Sequence, residues 1–201
     1  MTELLRKSKM NNKEILKVFI QHKALLEGHF IYASGRHGSQ FLQFARILQH
    51  PEITEKLCVE LANHFQGFHA DLVVGPATGG IILAYEVAKQ LDCSTAFLEK
   101  EPDGSMAMKR GFTLVKGWKV IVIEDVTTTG GSVKKCIKHL QERGAEVVGV
   151  GCIVNRNPGN VSFDVPFYSL AEINLASWLP EECELCKKGE PITEPDNILL
   201  T

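Results

Sequence analysis

Residues 118 to 132, Trp-Lys-Val-Ile-Val-Ile-Glu-Asp-Val-Thr-Thr-Thr-Gly-Gly-Ser, constrain the fold more than any other stretch of this chain. The β-branched run Val120 to Ile123, flanked by charge and glycine, has the character of a strand buried on both faces of a parallel sheet. It ends in two acids, Glu124 and Asp125. Three threonines and two glycines follow, after which Val133, Cys136, Ile137 and Leu140 recur at helical spacing until Gly144 closes the helix.

The order strand, acids, loop, helix makes chemical sense if the loop holds a phosphate. Backbone N–H groups of a glycine turn at a helix N-terminus, with the helix dipole behind them, form an anion site. Thr127, Thr128, Thr129 and Ser132 add hydroxyl donors. The two carboxylates upstream repel a phosphate placed on them, so that position suits hydroxyl groups or a divalent cation. A sugar phosphate satisfies both halves. The bare pattern also fits an ordinary strand-to-helix turn in which Asp125 or a threonine caps the helix and Gly130 permits a tight bend. A nucleoside-triphosphate loop is excluded, because Ser132 follows Gly131 with no lysine between them. The three fixed-spacing glycines of a dinucleotide site are also missing.

Taken whole, the stretch resembles the phosphoribosyl diphosphate (PRPP) signature of the type I phosphoribosyltransferases. The resemblance implies that Glu124 and Asp125 hold the ribose hydroxyls and that Val126, Thr127, Thr128, Thr129, Gly130, Gly131 and Ser132 wrap the 5′-phosphate. It implies an α/β fold, a mostly parallel sheet flanked by helices with a small N-terminal hood. On that reading residues 1–201 form a single phosphoribosyltransferase domain, with the hood from about 1–50 plus the C-terminal tail and the core from about 70–160.

Composition agrees with a globular protein of one domain: 201 residues, 44% hydrophobic and 23% charged. With 22 basic against 24 acidic residues the formal charge is -2, which offers no basic footprint for nucleic acid. No segment approaches the roughly 20 apolar residues that span a bilayer, and Met1 to Lys7 lacks a signal-peptide core, so no membrane partner and a cytoplasmic location are expected.

Along the chain, residues 13 to 26 place Ile15, Leu16, Phe19, Ile20, Leu25 and Leu26 near one helical face, with Gly28 as a stop. Residues 28 to 43 then read as a hairpin across Ser34-Gly35-Arg36-His37-Gly38-Ser39. Orotate phosphoribosyltransferases have a similar segment as a hood over the base, often with a lysine where Ala33 stands here. Residues 43 to 52 also resemble those enzymes, and a helix is expected over about 52 to 65.

Asp71 to Gly75 reads as the first core strand, and Pro76-Ala77-Thr78-Gly79-Gly80 opens a helix through Leu91. Exposed N–H groups there offer a second anion site, although the glycines also suit close helix-to-strand packing. The resemblance gives Ala77, Thr78 and Gly79 to the pyrophosphate half of PRPP; some orotate enzymes have a lysine at the position of Gly79. Cys93 to Leu98 reads as a strand, and residues 99 to 112 as a long polar connection of the kind that carries function. In the family this loop brings basic side chains to the pyrophosphate, often from the partner of a dimer, which singles out Lys100, with Lys109 and Arg110 as further candidates. A Lys-Arg pair also suits a solvated surface.

Ala145 to Val154 is another apolar strand, ending in Asn155-Arg156. An arginine at the C-terminal end of a parallel strand stands where open α/β sheets bind ligands, and its fork suits a carboxylate or a pyrimidine carbonyl edge. Orotate enzymes generally have an Asp-Arg pair here and use the arginine for orotate; Asn155 in place of aspartate implies weaker orientation of Arg156. Phe167 to Leu170 reads as an edge strand. In the tail, Pro180-Glu181-Glu182-Cys183-Glu184-Leu185-Cys186 holds one cysteine pair, which cannot complete a tetrahedral zinc site unless two more ligands arrive from elsewhere. Reduced structural thiols are the expectation there. Cys58, Cys93, Cys136 and Cys152 lie in apolar patterns as core thiols.

The resemblance therefore implies an enzyme that condenses orotate with PRPP, using Mg²⁺, as a homodimer acting on small molecules, in pyrimidine biosynthesis. A purine-type phosphoribosyltransferase and a non-catalytic PRPP-binding regulator are the alternatives.

Overall fold

A computed structural model describes residues 10–32 and 34–195; Ala33 lies outside the described residues. The elements in chain order are α1 (Asn12–Gln21), β1 (Leu25–Ile31), β2 (His37–Leu42), α2 (Ala45–Leu48), α3 (Pro51–Phe65), β3 (Leu72–Pro76), α4 (Gly79–Leu91), β4 (Ser94–Lys100), β5 (Met106–Met108), β6 (Lys119–Thr127), α5 (Gly131–Glu142), β7 (Glu146–Asn155), β8 (Phe167–Glu172), β9 (Ser177–Trp178) and α6 (Glu184–Lys187). They build a six-stranded sheet in the order β5-β4-β3-β6-β7-β8 and a three-stranded sheet β1-β2-β9.

β6 is the centre of the larger sheet because its side chains are apolar on both faces. Ile121 and Ile123 pack into the core formed with α3 and α4, while Val120 and Val122 face the core shared with α5. All four are fully buried, each contributing roughly 1.5–3 kcal/mol of transfer free energy. β6 pairs in parallel with β3 on one side and β7 on the other. From β3 the chain crosses through α4 to β4 on one flank; from β6 it crosses through α5 to β7 on the opposite flank. The strand order thus reverses between β3 and β6, and the loops entering α4 and α5 diverge from that point, leaving a crevice at the carboxyl ends of the strands.

Three sequence expectations are corrected. The first helix ends at Gln21 rather than continuing to residue 26: Lys23 adopts φ 50° and Ala24 N–H bonds to the Phe19 carbonyl, closing the helix, so Leu25 and Leu26 open β1. The helical spacing of those leucines coincides with the start of strand burial. Residues 99 to 112 are not a plain connection, because Met106 to Met108 fold back antiparallel on β4, with Met106 and Met108 buried against the α5 core. His37, Gly38 and Ser39 belong to β2 rather than to the hairpin turn.

The β5 arm is pinned to α5 by the backbone N–H of Met108, which donates to His139 Nε2 at 3.2 Å. Burial, helped by Arg143 and opposed by Glu142, holds His139 below the usual histidine range. The folded value is lower than the unfolded one, so this stabilisation is complete above the ordinary histidine value of about 6.5 and is lost as pH falls from there through the folded value. Amide exchange at Met108, corrected for its intrinsic rate, is expected to accelerate relative to β6 as pH falls below about 6.5, and His139→Gln to remove that pH dependence.

Candidate functional site

The crevice opens into a cavity of about 490 Å³ lined by Glu124, the loop from Val126 to Ser132, Arg156, and Tyr32, Ser34 and Phe41 of the hairpin. Each wall follows from local structure. β6 runs through the acid pair to Thr127, since Glu124, Val126 and Thr127 remain in register with Cys152, Val154 and Asn155 of β7. Glu124 Oε1 accepts from the Asp125 N–H at 3.1 Å, and Asp125 Oδ1 accepts from the Val126 N–H at 2.6 Å. Burial, with Asp125 beside it, pushes Glu124 well above the usual carboxylate range; burial also raises Asp125 against the pull of the Val126 N–H. Two adjoining buried carboxyls are offered here to hydroxyl groups or a cation, whose binding favours their ionised form.

The loop turns at Gly130, whose φ of 73° is left-handed and where a Cβ would stand 2.8 Å from the Phe163 ring, so a side chain is excluded twice over. Gly130 is the N-cap of α5, and no side chain among the described residues caps that helix. Its first N–H groups therefore face the cavity beside the hydroxyls of Thr128, Thr129 and Ser132.

α4 likewise begins at Thr78 without a side-chain cap. Ala77, Thr78, Gly79 and Asp125 do not line the cavity; the Asp125 carboxylate occupies the place a Cβ on Gly79 would take. Glycine at 79 is thus what lets the acid stand against the N-terminus of α4. The peptide joining Ala77 to Thr78 is cis.

At the opposite wall, Arg156 is fixed by its backbone N–H to the Thr127 carbonyl at 2.8 Å, and its guanidinium stacks 4.4 Å from the Tyr32 ring centroid. Burial lowers its pKa while Tyr32 opposes, and an arginine keeps its charge throughout. Its Nε is buried with no hydrogen-bond partner among the described residues. Asn155 does not orient this side chain: its Oδ1 accepts the Asn157 N–H at 3.0 Å and shapes the turn instead. Tyr32, whose hydroxyl donates to the Gln40 carbonyl at 2.5 Å, takes the orienting part.

Of the basic candidates on the 99–112 arm, none lines the cavity. Lys100 is exposed at the end of β4, Lys109 is ion-paired with Glu101, and Arg110 holds Glu99 with bonds of 2.7 and 3.1 Å. The lysine at the cavity is Lys135, on the first turns of α5, with Nζ donating to the Gly104 carbonyl at 2.5 Å. Sequence reasoning missed it, although a cation one turn into a helix that follows an anion loop is a recognisable signal. It also missed Tyr32, the aromatic residue two positions before Ser34.

A model of the phosphoribosyl transferase domain matches residues 43–185. An orotate phosphoribosyltransferase of Caldanaerobacter subterraneus subsp. tengcongensis is 45% identical over 191 residues, covering 95% of this chain and 100% of the relative. The enzyme of the same name from Thermotoga maritima is 48% identical over 183 residues, covering 91% and 96%. Among solved structures, the orotate phosphoribosyltransferase of Aeropyrum pernix superposes with a TM-score of 0.66 at 27% identity, over 79% of this chain and 93% of that one. By these matches over most of its length the chain belongs to the orotate phosphoribosyltransferase family, with the type I phosphoribosyltransferase fold.

Proposed function

We infer that the protein transfers the phosphoribosyl group of PRPP to orotate, giving orotidine 5′-monophosphate and pyrophosphate, a step of pyrimidine biosynthesis. The observation that carries this is one cavity of about 490 Å³ joining an uncapped helix N-terminus, Glu124 of the acid pair and a stacked arginine with an unpartnered Nε. In the proposed arrangement the 5′-phosphate takes the N–H and hydroxyl donors of Val126 to Ser132, and Glu124 and Asp125 accept from the ribose hydroxyls. Arg156 presents its fork to the orotate carboxylate or carbonyl edge, with Tyr32 holding the guanidinium flat. The pyrophosphate lies toward Ala77, Thr78 and Gly79, beyond Asp125.

The orotate ring nitrogen bonds to the anomeric carbon as the bond to the pyrophosphate oxygen breaks with its pair leaving on oxygen, and the nitrogen's proton passes to the departing pyrophosphate or to solvent. The transition state is oxocarbenium-like, so no protein nucleophile is required and catalysis is mainly positioning and charge stabilisation. Mg²⁺ fits the hard oxygen donors present: held mainly by PRPP, with Asp125 as the carboxylate nearest the pyrophosphate loop, it would neutralise the departing charge. Lys100, with Lys109 and Arg110, is assigned to the pyrophosphate. All three lie outside the cavity of their own chain, which favours delivery across a homodimer. Among the described residues no helix is long and apolar enough to cross a membrane, and a cytoplasmic location is proposed.

The test is the loss of orotate absorbance when PRPP and Mg²⁺ are added to purified protein, with adenine, xanthine and uracil assayed in parallel by pyrophosphate release. Consumption of orotate alone, abolished without Mg²⁺, is expected. PRPP binding with no base consumed would overturn the enzyme reading in favour of a regulator, and adenine or xanthine turnover would overturn the base assignment.

A further inference from the structure

The cysteine pair in the tail finds two more donors in the hood. His29 on β1 and His37 at the start of β2 converge on Cys183 and Cys186, 146 or more residues away in sequence, and one donor atom from each residue lies within 4.8 Å of all the others. His29, His37 and Cys183 are buried and Cys186 is at the surface. The separations are His29 Nε2 to His37 Nδ1 3.0 Å, Cys183 Sγ to His29 Nε2 3.6 Å, Cys186 Sγ to His29 Nε2 3.5 Å and Cys186 Sγ to His37 Nδ1 3.2 Å. A tetrahedron with Zn–N near 2.0–2.1 Å and Zn–S near 2.3 Å has N–N edges of about 3.3 Å and N–S edges of about 3.5 Å. The four edges given, 3.0–3.6 Å, are close to those of a tetrahedron of this size, and the remaining pairs lie within 4.8 Å.

Hydrogen bonding alone does not account for the cluster. His29 Nδ1 lies 2.8 Å from the Glu190 carbonyl, which can only accept, so Nδ1 carries the proton and Nε2 offers a single lone pair. Three groups, His37 Nδ1 and both sulfurs, crowd that one lone pair. A cation at their centre serves all four at once, and the carbonyl bond on the far ring nitrogen is the usual partner of a metal-bound histidine. Two thiolates balance a divalent charge, so the complex is neutral where it is buried. Two nitrogens with two sulfurs select zinc over magnesium or calcium, and four protein ligands close the site to water.

We propose that His29, His37, Cys183 and Cys186 bind one structural Zn²⁺ that staples the C-terminal tail to the hood. Binding releases the two thiol protons and forms two Zn–S and two Zn–N bonds. From residue 179 to 195 Cys183 is the only buried side chain, so the tail has almost no apolar anchor of its own. A three-stranded sheet with a two-residue third strand is also marginal alone. The two histidines flank the turn that carries Tyr32 and Ser34 to the cavity, so the metal holds the hood wall in place.

The test uses tag-free, reduced, full-length protein. Elemental analysis after gel filtration is expected to find about one zinc per chain. After exchange with Co²⁺ alone, the visible bands of tetrahedral cobalt and a thiolate-to-cobalt charge-transfer band are expected. Cys186→Ser, at the exposed ligand, weakens the charge-transfer band, and His37→Asn lowers cobalt affinity on the order of a hundredfold. A folded wild-type chain that carries no zinc and gives no thiolate–cobalt band overturns the proposal, whether or not the variants fold. So does purification with Cys183 and Cys186 joined as a disulfide. These readouts do not depend on orotate turnover, so their failure and the failure of the assigned reaction are separable.

Discussion

Asp125→Asn is expected to lower kcat by about 10²–10³-fold, the usual cost of removing one preorganised charge from a transition-state site, while leaving the fold intact. The asparagine keeps an oxygen for the Val126 N–H, so the turn survives. Burial raises the folded pKa of Asp125 above its unfolded value, so the carboxylate costs the fold nothing below the ordinary carboxylate range. That cost appears as pH rises through the folded value. The variant should therefore melt higher than the parent at neutral pH, by about 2–4 °C for each kcal/mol relieved, and equally near pH 4 or below. Gly79→Ala tests the same group from the other side, because the added methyl takes the place of the Asp125 carboxylate. A displacement of about 1 Å costs on the order of a hundredfold in turnover. Added to Asp125→Asn it should cost little more, since both act through one carboxylate. Steady-state kinetics and thermal melts over pH decide this; parental kcat in Asp125→Asn would remove the residue from the reaction.

Local sequence order made the centre of the fold legible. Val120 to Ile123 could only be a doubly buried strand, and the acids, glycines and helix that follow are contiguous, so reading β6 and α5 needed no tertiary knowledge. Chain-order signals weakened where two periodicities overlapped, as at Leu25 and Leu26, or where a three-residue strand such as β5 depends on its partner for definition. Contacts between distant segments were not legible at all. Nothing in the spacing says that Gly79 faces Asp125, that Tyr32 stacks on Arg156, or that His29 and His37 meet the tail cysteines. Such pairings come from where the sheet reverses and how the hood folds over it.

Those distant pairings set the expected behaviour of Arg156. Arg156→Lys preserves the charge but loses the planar fork and the stack on Tyr32, and is expected to raise KM for orotate about 10–100-fold, the worth of a charge-assisted hydrogen bond. KM for PRPP should stay within about twofold, because only the unchanged backbone N–H of residue 156 touches the PRPP loop, at the Thr127 carbonyl. Tyr32→Leu should give a smaller rise with the same selectivity, since cation–π contacts are worth about 0.5–2 kcal/mol. Tyr32→Phe keeps the ring and loses only the bond to the Gln40 carbonyl, so it should fall between Tyr32→Leu and the parent. The pattern discriminates between a base-binding arginine and one that merely props the hairpin. A propping residue would raise both KM values together and lower the melting midpoint. A base-binding residue raises the orotate value alone, and its unpartnered, buried Nε costs the free protein stability that the ligand restores. Orotate should accordingly raise the melting temperature of the parent more than that of Arg156→Lys.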